Sequence, residues 1–138
     1  MKSYEWIDHT ADIGVRAFGK NLEELFKNAA VGMFELIADL ENVTPQFEKR
    51  VTLKEDRVED LYLSWHQELL FRSSVDHAIY KEFSFQSLTE KNLEATIRGE
   101  LINFDKHQLK KEVKAVTYHE LKVEKTREGW VGEVIFDI

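Results

Sequence analysis

The sequence contains no cysteine. Disulfides, thiolate nucleophiles and thiolate zinc sites are therefore excluded. Proline appears once and glycine six times in 138 residues. No stretch reads as a flexible linker, a low-complexity segment or a repeat array. No apolar run approaches the roughly 20 residues that span a bilayer. The opening Met1-Lys2-Ser3-Tyr4-Glu5-Trp6 lacks an apolar signal core. The expectation is a cytoplasmic protein with no membrane partner. Basic residues are in deficit: the net charge is -7 and the pI about 5.3. Phosphate neutralisation dominates free-standing nucleic-acid binding, so this chain is not expected to grip RNA strongly by itself. Its charge suits docking on the basic surface of a partner. A glycine-rich phosphate loop and a dinucleotide fingerprint are also missing.

What is present suits a folded globule. Hydrophobic residues make up 43% of the chain, enough for one domain over 1–138 with its own core. Tyr4 to Ile7 and Ile13 to Phe18 read as strands around a turn at Asp8–Asp12. Asn21 with Glu24 forms a capping-box pattern. Behind it, Leu22, Leu25, Phe26, Ala29, Ala30, Met33, Phe34 and Ile37 mark one buried helical face. Phe47 to Lys54 alternates as a half-buried strand, with Lys49 suggesting an edge. Asp56 with Glu59 reads as the cap of a second helix, with Val58, Leu61, Tyr62, Trp65, Leu69 and Leu70 as its core face. Strands are expected over His77–Leu88, Leu93–Leu101, Val113–Glu124 and Trp130–Ile138, the third bent or bulged near Tyr118–His119. Asn103 to Lys111 reads as a loop. Short connections exclude parallel crossovers. The fold expected is α+β: a two-layer sandwich of one largely antiparallel sheet covered by two amphipathic helices.

The densest chemistry lies in Asp8-His9-Thr10-Ala11-Asp12-Ile13-Gly14, with two carboxylates, an imidazole and a hydroxyl in five residues. Aspartates four apart around a turn converge on one hard cation, or simply cap backbone amides. At the other end, Asp137 lies beside the α-carboxylate of Ile138. Should these meet Asp12, three carboxylates repel unless a cation neutralises them. Oxygen donors select calcium, magnesium or manganese. Ser73-Ser74-Val75-Asp76-His77 holds the residue types of a hydrolase triad. Triads assemble from distant segments, however, and no nucleophile-elbow glycines flank either serine. That tract reads as a helix end and turn, and His66 reads as structural.

Four segments in order complete the picture: the Asp8–Gly14 opening, Ala17-Phe18-Gly19, Lys114-Ala115-Val116-Thr117-Tyr118-His119, and Phe136-Asp137-Ile138. Together they resemble the archease family from Tyr4 to Ile138. The resemblance implies a non-enzymatic accessory protein of the GTP-dependent tRNA-splicing RNA ligase, promoting ligase guanylylation and multiple turnover. It implies a divalent cation, calcium first and manganese or magnesium next, on Asp12, Asp137 and the Ile138 carboxylate. Asp8, His9, Lys114 and His119 match the same motifs as functional candidates. Two other readings stay open: a chaperone-like modulator of a tRNA methyltransferase, and a metal-dependent phosphoesterase. One departure is the polar Ser64–Leu70 stretch of the second helix, which touches none of the proposed ligands.

Overall fold

The computed structural model describes residues 3–8 and 10–138. Two helices and seven strands follow the order β1 (Tyr4–Asp8), β2 (Asp12–Gly19), α1 (Leu22–Ile37), β3 (Phe47–Lys54), α2 (Val58–Asp76), β4 (Ala78–Leu88), β5 (Asn92–Leu101), β6 (Ala115–Thr126) and β7 (Gly129–Asp137). The α+β class expected from the sequence is the observed one. The single sheet is not. The strands divide into a four-stranded sheet ordered β1-β2-β7-β6 and a three-stranded sheet ordered β3-β5-β4. Their pairings are antiparallel. Each helix touches strands of both sheets. Alternation along a strand tells which residues share a face, but not which neighbour completes the ladder, so the division was invisible in the sequence.

Helix α1 starts as its sequence dictates. Asn21 caps it, its Oδ1 accepting the Glu24 amide at 2.9 Å, and Glu24 reaches back to the Lys20 amide. Its apolar stripe is buried almost throughout. Gly32 brings the helix close to the sheet: a side chain there would press on Val15 and the Tyr4 ring. Trp6 uses that closeness, its indole N–H donating to the Gly32 carbonyl at 3.1 Å. Behind the helix the core is aromatic, with Phe26, Phe34, Trp65, Tyr80 and Phe83 in mutual ring contact.

Helix α2 departs from expectation at both ends. Its N-cap is Arg57, not Asp56, and no side chain caps it. The guanidinium of Arg57 instead pairs with Asp60 one turn on, at 3.1 Å. Glu59 and Asp60 in the first turn still favour the positive end of the helix dipole. At the other end His77 does not begin a strand. It is the left-handed C-cap, with φ 52° and ψ 50°. The helix is also less amphipathic than expected, since Phe71 and Val75 lie exposed opposite its buried face. The Ser73–His77 tract is the helix end and turn that the sequence implied: the Ser73 hydroxyl donates to the Ala78 carbonyl and ties the turn.

Candidate functional site

The outer face of the four-stranded sheet, away from the helices, is built in rows. Cross-strand partners share a face, and successive rows lie roughly 7 Å apart. Ile13, Val15 and Ala17 of β2 point into the core with Val134 and Phe136. Their neighbours Asp12, Gly14 and Arg16 therefore face outward. The register pairs Asp12 with Asp137, Gly14 with Ile135, and Arg16 with Glu133. On the edges, Glu5 and Ile7 of β1 extend the Arg16 and Gly14 rows. Ala115, Thr117 and Lys122 of β6 extend the Asp12, Gly14 and Arg16 rows, in that order, on the other side.

The first row sets two carboxylates directly opposite each other. Like charges so placed repel. Asp137 is exposed, whereas Asp12 is partly covered. The Oδ1 of Asp12 is buried and meets no donor among the described residues. Ile138 packs its side chain against the core at the same end of β7. No group of three or more histidine or acidic side chains gathers for a metal ion among the described residues. Among the described residues the acidic row is thus a pair of side chains.

The other sequence candidates scatter around this row. Asp8 pairs with buried Ile13, so alternation puts it on the helix-facing side, opposite Asp12. His9 lies outside the described residues. Lys114 is exposed just before β6, and its amide donates to the Asp137 carbonyl at 2.8 Å. Its backbone is fastened beside the acidic row. Its side chain borders a hollow against Gln67, Leu70 and Phe71 of α2. His119 is exposed in β6 near its expected bend.

That bend is larger than the sequence suggested. Between Thr117 and Lys122 the β6 register slips past β7: four residues on one strand oppose one on the other. Glu120 takes φ 51° to make the arch. The Thr117 hydroxyl holds its base by donating to the Ile135 carbonyl at 3.0 Å and accepting the His119 amide. The arch covers the Gly14–Ile135 row and encloses a cavity of about 110 Å³. Beside it Arg16 donates to Glu5 at 2.9 Å and to Glu133 at 2.7 Å. The hydrogen bond to Glu133 is the largest cause holding this guanidinium's pKa above its ordinary value. Sequence reasoning missed both the cavity and the Glu5–Arg16–Glu133 row. Their only trace was a strand alternation that fails after Thr117.

Comparison with known proteins decides the family. The model of the Archease protein family matches residues 4–138. The chain belongs to the archease family. It is 39% identical over 142 residues to a protein archease of Methanosarcina barkeri, covering 99% of this chain and 97% of that one. The solution structure of Methanobacterium thermoautotrophicum protein 1598 superposes with a TM-score of 0.84 at 37% identity, covering 100% of both chains. A crystal structure of a Thermotoga maritima archease, called there a possible chaperone, gives a TM-score of 0.67 at 25% identity over 96% of this chain and 94% of that one. The family thus reaches this chain by sequence and fold alike. No helix of the described residues is long and apolar enough to cross a membrane.

Proposed function

We propose that this archease-family chain is a non-catalytic accessory protein of the GTP-dependent tRNA-splicing RNA ligase. In this reading it acts through a divalent cation held by Asp12, Asp137 and, where Ile138 closes the chain, its α-carboxylate. The observation that carries the reading is the Asp12–Asp137 row, with the Asp12 Oδ1 buried and without a partner among the described residues. A buried anionic oxygen without a donor is costly, and a hard cation is the partner its chemistry fits. Calcium suits an irregular oxygen set, and manganese or magnesium remain alternatives. Bound there, the cation would supply a fixed positive charge, of the kind that favours phosphoryl transfer in an adjoining active site.

The chain's own residues do the rest. Asp12 and Asp137 bring ligands from β2 and β7 into register. Lys114 fastens the edge of β6 to Asp137 through its backbone, while its exposed side chain lies toward α2 on the other face of the sheet. Asp8, His9 and His119 are proposed as further contacts to the ligase rather than as ligands. The acidic balance supports docking on a basic protein surface rather than on RNA.

The test is RNA ligation with sub-stoichiometric ligase, GTP and manganese. The protein should convert a single turnover into many, and folded Asp12→Ala and Asp137→Ala should lose that stimulation. A folded Asp12→Ala with full stimulation would overturn the assigned role. The description of the Thermotoga relative as a possible chaperone favours one second reading, modulation of a tRNA methyltransferase. Binding to a purified methyltransferase with no effect on ligation would replace the first reading by the second.

A further inference from the structure

We infer that the cavity beneath the β6 arch receives a basic side chain, arginine or lysine, of the partner protein. This rests on the accessory-protein reading above and names the surface and the chemistry by which the partner is held.

The first argument is the cavity and its floor. Ile7, Gly14 and Ile135 supply apolar surface, with Arg16, Glu120 and Glu133 around it. Gly14 stands apart from the chain's other glycines. At Gly19, Gly32, Gly99, Gly129 and Gly132 an added Cβ would lie within 3.0 Å of a neighbour. At Gly14 the nearest atom is Ile7 Cβ at 3.6 Å, an ordinary contact, and its φ is not in the left-handed region. Neither packing nor backbone conformation demands glycine there. What the missing side chain leaves is the cavity itself.

The second argument is charge. Arg16 is already met by the Glu5 and Glu133 carboxylates, and Lys122 lies 4.0 Å from Glu133, so Glu120 is the cavity's carboxylate without a pairing to these cations. Glu120 is exposed at the crest of the arch. An apolar floor with the Glu120 carboxylate at its crest fits a side chain of methylenes ending in a cation. Tyr118, 75% exposed, stacks on His119 with ring centroids 5.2 Å apart on the same arch. An aromatic pair there adds a π face for a guanidinium or ammonium.

The test is an NMR titration of the whole protein with N-acetyl-arginine methylamide, N-acetyl-lysine methylamide and the uncharged N-acetyl-citrulline methylamide. At least one cationic probe should give saturable shifts at the Gly14, Glu120 and Ile135 amides, with citrulline at least fivefold weaker. Gly14→Val, which sets two methyl groups over the floor, and Glu120→Gln should each weaken the cation by a similar factor. Equal binding of citrulline, no saturable shift with either cation, or undiminished binding to folded Gly14→Val would overturn the inference. Purified ligase separates it from the reading beneath it. Ligase held at least fivefold more weakly by Gly14→Val than by the natural protein supports both. Ligase held equally by both removes the cavity as an anchor and leaves the accessory role intact. Ligase held by neither, while the probes bind, removes the ligase reading and leaves the cavity's preference for basic side chains.

Discussion

At Asp12 a carboxylate oxygen is buried with no donor to meet it among the described residues, opposite a second carboxylate on the next strand. Without a cation both features oppose folding. Asp12→Asn should therefore leave the metal-free protein as stable or stabilise it by about 0.5–1 kcal/mol, the scale of a cross-strand pair. Urea denaturation in EDTA measures this, and a loss above about 1 kcal/mol would mean that the carboxylate is satisfied by the fold itself. His66 is a second residue whose environment makes a prediction. Its ring is fully buried, and its Nδ1–H donates to the Tyr62 carbonyl at 2.8 Å. Burial lowers its pKa from 6.5 to about 4. The unfolded chain then binds the extra proton between those values, so stability is full above about pH 6.5 and falls as pH drops toward 4. His66→Phe should flatten that part of the stability–pH profile, and an unchanged slope between pH 6.5 and 4 would contradict the assignment. At this scale the sequence was partly legible. Asp12 stood out in a dense run of oxygen and nitrogen donors, and Asp137 through its place in the ending that resembles the archease family. The burial of one oxygen, and the placing of Asp8 on the opposite face, depended on a register no periodicity reveals.

The two helix starts make a matched pair. Both present an acid or amide three residues before a glutamate, as the capping pattern requires. Only Asn21 performs the role. Helix α2 starts at Arg57, and Asp60 is drawn to the Arg57 guanidinium. Asn21→Ala should cost about 1 kcal/mol by chemical denaturation, and Asp56→Ala within about 0.5 kcal/mol of nothing. Equal losses at both would show that Asp56 caps after all. Strands were more legible than caps, because period-two alternation registers burial directly. The β6 arch lay between these cases. The alternation breaks at Tyr118–His119, which marked a bend, but a bulge's size is fixed by its partner strand. Three extra residues on β6 against β7 are a property of the pair.

The whole molecule joins its two ends in one sheet: β2, carrying Asp12, is hydrogen-bonded to β7, carrying Asp137. The site therefore requires β2 and β7, far apart in sequence, to pair. The α+β class was readable from element order and hydrophobic period, whereas the split into two sheets was not, because both sheets draw on strands of similar pattern. Asp12, Asp137, Glu120 and Glu133 share one outer face with Arg16 and Lys122. The most direct measurement is calorimetric titration of the natural protein and folded Asp12→Ala with calcium and with manganese. The account predicts saturable binding of one cation per chain, weakened at least tenfold, or about 1.4 kcal/mol, by the substitution. Equal heats and equal affinity from the two proteins would contradict it.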